Sequence, residues 1–291
     1  MASHSVHHLE FERSIKVIAD SSNLEVDPSK FNIANDYTAL SCDSLPHLDF
    51  SSLISGNPHQ RTKSIQDVAE ACRVWGFFIL VNHGIPESLM KDAIAAVREF
   101  FDLPDSEKKL YKAKVVLDLI QCGNFTIANT SVKCFTLWRD YLKLCVHPDF
   151  HCPHHPQLLR EVVMDYGERI RNLFIKLMEA ASESLELDKH YVDEALKIDS
   201  MAQIFVGNYY PPCPQPDQAV GIPPHTDSGL MTFLINNGVE GLQIEHDGKW
   251  FNVQSPPNSI LVNVDDHLEI FTNGRFKSLK HRAVVNKERE F

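Results

Sequence analysis

The stretch Asn208-Tyr209-Tyr210-Pro211-Pro212-Cys213-Pro214, running on to Pro224-His225-Thr226-Asp227, decides how this chain is read. Side chains two apart on an extended segment point to the same face. His225 and Asp227 therefore offer an imidazole and a carboxylate together. One more imidazole would complete two histidines and one carboxylate on one face of a metal, with positions left open. His281, in Lys280-His281-Arg282-Ala283, is the candidate third ligand.

Around this stretch the sequence period is extended. Segments 202–210, 231–235, 241–246, 249–253, 259–264 and 266–271 read as strands, and 276–285 reads as a last strand carrying His281. Asp247-Gly248 and Asn273-Gly274 are hairpin-turn dipeptides. Short strands separated by turn signals argue for a sandwich or barrel.

Upstream the period is helical over 62–75 and 86–101. It is strongest over 158–187, where Leu159, Val162, Val163, Tyr166, Ile170, Leu173 and Leu177 form one apolar stripe. Strands are predicted at 45–50 and 77–82, and short irregular ones between 113 and 157. Helices first and strands later predict an α+β plan with helices around a β-rich body. The expected organisation is a surface arm over 1–44, a helical region over 45–197 and a β core over 198–291.

The 291 residues are 43% hydrophobic and 23% charged, which is ordinary globular composition. A formal net charge of −11 argues against nucleic acid or an anionic membrane as partner, since both select basic patches. No apolar run approaches the ~18 residues that span a bilayer. The first residues lack the apolar core of a signal peptide, so the expected address is cytoplasmic. The seven cysteines are odd in number and form no Cys-x-x-Cys pair. Free, mostly buried thiols are expected rather than a disulfide framework.

Other histidines invite a metal reading. His4, His7 and His8 are read as a solvated terminus, and His83, at a strand end, as a hydrogen-bonded structural residue. His147, His151, His154 and His155 around Cys152 are read as a loop, because zinc sites show tighter pairing.

The segments around the histidines carry more. Asn208 to Pro214, Pro224 to Asp227, Gly241-Leu242-Gln243-Ile244, Leu268-Glu269-Ile270, Asn273 to Ser278 and His281 to Asn286 resemble the plant 2-oxoglutarate and Fe(II)-dependent dioxygenases. Their tone is closest to the flavanone 3-hydroxylase-like members. Trp75-Gly76-Phe77-Phe78, Val81-Asn82-His83-Gly84-Ile85 and Trp138-Arg139-Asp140-Tyr141-Leu142 extend the resemblance over about residues 45 to 290.

The resemblance implies a double-stranded β-helix, or jelly roll, with helices around it. It implies His225, Asp227 and His281 as ligands of Fe(II), and Tyr210 and Asn208 as residues that hold 2-oxoglutarate. Ascorbate is the expected reductant. The family's Arg-x-Ser pair, a clamp for the far carboxylate of 2-oxoglutarate, is not found before Phe291. Arg289 lies near its place without the serine, and Arg282 is a neighbour of the ligand rather than the clamp. The last strand and C-terminal helix are therefore expected to be missing. Asp265 stands where the family usually has glycine, which would allow φ > 0.

The implied reaction consumes O2 and 2-oxoglutarate, releases succinate and CO2, and hydroxylates or desaturates a small plant metabolite. The expected protein is a monomer, with Phe125, Trp138, Phe233 and Phe271 as candidate pocket residues. Two alternatives stand beside this reading. One is an ascorbate-dependent, ethylene-forming oxidase; the other is a truncated, inactive or regulatory metal-binding isoform.

Overall fold

The computed structural model describes residues 14–20, 38–41, 45–115, 117–128 and 134–291, without the side chains of 125–128 and 134–136. His4, His7 and His8 lie outside the described residues, as does the side chain of Phe125.

The first half runs α1 (Ile15–Asp20), β1 (Leu40–Ser41), β2 (His47–Asp49), α2 (Phe50–Ser55), α3 (Pro58–Val74), β3 (Phe77–Val81), α4 (Glu87–Asp102) and α5 (Asp105–Lys108). Then come β4 (Ile120–Ala128), β5 (Cys134–His147), α6 (Gln157–Ser184) and α7 (Tyr191–Leu196). The second half runs β6 (Gln203–Tyr209), β7 (Ile222–His225), β8 (Met231–Leu234), β9 (Leu242–His246), β10 (Lys249–Asn252), β11 (Ile260–Val264), α8 (Asp266–Phe271) and β12 (His281–Ala283).

Three sheets form among the described residues. Their strand orders are β1-β10-β9-β12-β7, β2-β3-β11-β8 and β4-β5-β6. The alternation of side chains along β3 and β11 explains the layering. Phe77, Ile79 and Leu261 turn inward and pack with Ile244 of β9 and with Val253. Phe78, Leu80, Ile260, Val262 and Val264 turn outward onto α3 and α6, meeting Val68, Cys72, Leu173 and Leu177. The two central strands are thus buried on both faces; β3 reads as an unbroken apolar run and β11 as one interrupted only by Asn263. The helices cover one face, and the five-stranded sheet lies on the other.

Several local expectations change. Helix α3 starts at Pro58, four residues before the predicted start, because Asn57 and Gln60 form a capping box. The region expected to hold short irregular strands forms a hairpin with a 14-residue arm, β5. Inside the expected surface arm, α1 is locked down: the Ile15 and Lys16 amides donate to the Asp140 carboxylate at 2.9 and 2.8 Å.

Segment 266–271 is a helix, not a strand. Leu268 is buried while Ile270 is 73% exposed, so one face alone meets the core. Asn273 and Gly274 take φ of 53° and 74°, and the Gly274 amide donates to the Glu269 carbonyl. The dipeptide supplies positive φ as foreseen, but it ends a helix rather than turning a hairpin. The final strand is short, covering His281–Ala283 only.

Candidate metal centre

Strand β12 lies between β9 and β7. In its antiparallel pairing with β7, His281 stands opposite His225. The two imidazole centroids are 4.2 Å apart. Asp227 follows two residues after His225, just past the strand end, not on the strand as expected. Its carbonyl accepts the Asp266 amide at 2.8 Å, which fixes it to the start of α8.

The three side chains converge. His225 Nε2 is 3.6 Å from Asp227 Oδ1, and His281 Nε2 is 3.6 Å from Asp227 Oδ2. One ligand atom from each lies within 4.8 Å of the others, the only such grouping of His, Cys, Asp or Glu among the described residues. Both histidines turn their other nitrogen to a main-chain carbonyl. His225 Nδ1 donates to Pro223 O at 2.9 Å and His281 Nδ1 to Leu279 O at 3.3 Å. A carbonyl only accepts, so each ring keeps its Nε2 lone pair for a metal. Burial, and then the neighbouring His225, lower the His281 pKa against the pull of Asp227. That keeps the imidazole neutral and able to ligate. The donor set fits a divalent transition metal with coordination positions to spare.

A polar shell backs the carboxylate. Asn263, on the inward face of β11, donates to Asp227 Oδ2 at 3.0 Å and to Asp265 Oδ1 at 2.8 Å. Thr232 on β8 donates to Asp265 Oδ2 at 3.2 Å. Burial, with the Asp227 carboxylate next in effect, pushes Asp265 up to about 8. The glycine expected at this position is not required by the backbone: Asp265 has φ −107° and ψ 171°, ordinary extended geometry. Thr226 and Ser278 both donate to the Asp266 carboxylate, at 3.0 and 2.7 Å, tying the residue between His225 and Asp227 to the segment before β12.

Tyr210 and Asn208 belong to β6 and its end, a different sheet from His225. Sequence reasoning gave no role to the residue that joins them. Arg139 on β5 donates to Asn208 Oδ1 at 3.2 Å and hydrogen-bonds the Tyr210 side chain. Burial pushes the Tyr210 phenol up to about 12, and Arg139 opposes the shift. The available signal was the Trp138-Arg139-Asp140 motif itself. The Tyr210 ring stacks on Phe291, with centroids 4.3 Å apart and planes 14° from parallel.

The remaining candidates sort by contact. Trp138 is 2% exposed and donates from Nε1 to the Pro211 carbonyl, a packing position. Phe233 meets Phe174 edge-on and packs on the main core. Phe271 lies 6.5 Å from Tyr191. Arg282 points away from the metal trio, with Nε on Gln243 Oε1 and its guanidinium 4.0 Å over Trp250. Arg289 is exposed. His83 is a buried structural histidine: its Nε2 meets the Asn258 carbonyl and its Nδ1 accepts the Ile85 amide. The His147–His155 loop contains two cis peptide bonds to proline and brings no set of ligands together.

A helix-clad sandwich with His-x-Asp at one strand end and a histidine on the adjoining strand is the architecture of the jelly-roll non-haem oxygenases. The chain belongs to the 2OG-Fe(II) oxygenase superfamily, which it matches over residues 201–290. Residues 45–162 match the N-terminal region of a non-haem dioxygenase in morphine synthesis. The 2-oxoglutarate-dependent dioxygenase 19 of Oryza sativa subsp. japonica is 44% identical over 257 residues, 88% of this chain and 75% of that one. Flavanone 3-dioxygenase 2 of the same species is 38% identical, covering 79% and 68%. The crystal structure of JOX2 in complex with 2OG, Fe and JA superposes with a TM-score of 0.82 at 31% identity, over 96% of this chain and 80% of that one. Among the described residues no helix is long and apolar enough to cross a membrane.

Proposed function

We propose that this chain is a 2-oxoglutarate-dependent oxygenase in which His225, Asp227 and His281 hold Fe(II). Its reaction is the hydroxylation or desaturation of a small plant metabolite. The observation that carries the reading is the convergence of two imidazole Nε2 atoms and one carboxylate on the β7–β12 ladder. The iron, when bound, would supply O2 activation coupled to 2-oxoglutarate decarboxylation. The chain's own residues do the rest. The main-chain carbonyls of Pro223 and Leu279 set the tautomers of the two imidazoles. Asn263 orients the carboxylate, and Phe77 shields His281 edge-on at 5.6 Å.

Tyr210 and Asn208, joined by Arg139, are proposed to contact 2-oxoglutarate, with ascorbate as external reductant. The similarity to flavanone 3-dioxygenase 2 and to flavonol synthase 1 of Crocosmia x crocosmiiflora, 36% identical over 228 residues, supports an aromatic or polycyclic substrate class. Relatives of this kind favour 2-oxoglutarate over the ethylene-forming alternative. Residues 45–197 would form the helical layer and 198–291 the metal-bearing core. The described cysteines 72, 122, 145, 152 and 213 are free and buried, in keeping with a reducing cytosol.

The test is substrate-dependent release of succinate from 2-oxoglutarate with Fe(II), ascorbate and O2, screened over flavonoids and related phenolics. Release that requires His225, Asp227 and His281 is the expected result. Iron binding that survives His225→Ala would overturn the ligand assignment.

A further inference from the structure

We propose that Asp265 is a positioning residue for the metal centre, acting through Asn263 to hold the Asp227 carboxylate in its ligating orientation. The inference rests on the ligand assignment above and concerns residues outside it.

The Asn263 side chain is 4% exposed and sits mid-strand on the inward face of β11, between layers otherwise filled by Phe77, Ile79, Leu261 and Ile244. An amide there is free to flip unless both of its ends are specified. Its NH2 group meets two carboxylate oxygens, Asp227 Oδ2 and Asp265 Oδ1. Carboxylate oxygens of this kind accept, so the nitrogen must face them both. Asp265 thereby fixes the amide in the orientation that donates to Asp227. Oδ2 of Asp227 is engaged, while Oδ1 faces His225 Nε2.

Asp265 is itself held from several sides. Thr232 donates to Oδ2, and the Asp265 amide donates to the Leu230 carbonyl at 3.1 Å. Gly229 leaves the carboxylate room: a Cβ at that position would stand 2.7 Å from Asp265 Oδ2. The carbonyl of Asp265 accepts the Leu268 and Glu269 amides at the start of α8. The anchor is therefore part of the same rigid frame as Asp227, whose carbonyl receives the next amide along, that of Asp266. Oδ1 accepts from Asn263 whether or not Oδ2 carries a proton, so the relay holds in either state.

The test is metal affinity of the full chain, read without turnover. Co(II) is titrated anaerobically into the wild type, Asp265→Ala, Asp265→Asn, Asn263→Ala and the Asn263→Ala/Asp265→Ala double variant. Its ligand-field absorption reports both occupancy and coordination. Loss of an outer-shell partner typically costs about 10–100-fold in affinity. Asp265→Ala is expected to weaken binding about tenfold and to alter the absorption envelope. Asp265→Asn keeps an acceptor for Asn263 and should bind within about threefold of wild type. The double variant should bind no more weakly than Asn263→Ala alone, because the two residues act in series.

Wild-type affinity in Asp265→Ala overturns the proposal, and so does an additive loss in the double variant. Asp265→Asn as weak as Asp265→Ala also overturns it, by assigning the effect to charge. Wild-type protein that takes up no Co(II) overturns the ligand assignment as well, which separates the two failures. Thermal melts of the apo variants check that each is folded before its metal titration is read.

Discussion

His281 stands directly across the β7–β12 ladder from His225, with their ring centroids 4.2 Å apart. The ladder pairing, rather than loop conformation, sets the spacing of the two imidazoles. A metal held by both would cross-link adjacent strands, with Asp227 adding the start of α8 through its bond to Asp266.

Metal should therefore stabilise the fold. At a free concentration 100 times Kd the gain is about 2.7 kcal/mol, several degrees in Tm for a chain of this size. Differential scanning fluorimetry with anaerobic Fe(II) or Co(II) measures it. The shift should vanish in His225→Ala, Asp227→Ala and His281→Ala. A shift kept in any of the three would remove that residue from the ligand set.

Tyr210 and Asn208 share Arg139. Tyr210→Phe should weaken 2-oxoglutarate binding about 2- to 10-fold, the range of one neutral hydrogen bond. Arg139→Met, which removes a charged partner, should cost about 10- to 100-fold. Anaerobic calorimetric titration of the metal-loaded protein with 2-oxoglutarate reads both. Unchanged affinity in both variants would place the cosubstrate elsewhere.

Phe291 fills the space that Gly241 leaves open. A Cβ at 241 would stand 2.2 Å from the Phe291 ring, which also stacks on Tyr210. The Phe291 and Tyr210 main chains exchange two hydrogen bonds, and Glu290 accepts the Tyr209 hydroxyl while pairing with Arg98. Gly241→Ala should destabilise by about 1–3 kcal/mol, as overpacking does. In a Phe291→Ala background the same change should cost little, because the clash is gone. Equal penalties in both backgrounds, measured by urea unfolding, would show that the contact is not formed.

Asp140 is 2% exposed, and burial pushes its pKa to about 6 although two amides of α1 donate to it. The folded chain then binds a proton more tightly than the unfolded one, whose aspartate titrates near its ordinary value of 3.8. The stability this group contributes is full below about pH 4 and is lost as pH rises through about 6. Relative to Asp140→Asn, which does not titrate, the wild type should lose on the order of 3 kcal/mol across that window. Urea unfolding at pH 4, 5, 6 and 7 follows the difference. A wild type that instead gains stability over Asp140→Asn as pH rises would mean that the amides of Ile15 and Lys16 outweigh burial.

The sequence by itself determined the candidate ligands and much of the frame. His-x-Asp, the distant histidine, the apolar runs of β3 and β11 and the stripe of α6 were all legible, because period and residue chemistry are local properties. The tendency of Asn273-Gly274 to take positive φ was legible too; the element it ends was not. Helix or strand over 266–271 depends on which face meets the core, and Leu268 and Phe271, three apart on one helical face, do so while Ile270 does not. Only the tertiary structure decided that Asp265 needs no glycine geometry, that Arg139 joins Asn208 to Tyr210, and that Asn263 links Asp227 to Asp265. The last two are meetings of residues far apart in the chain. No local pattern encodes such a meeting, because burial and hydrogen-bond partners are set only when the sheets close on one another.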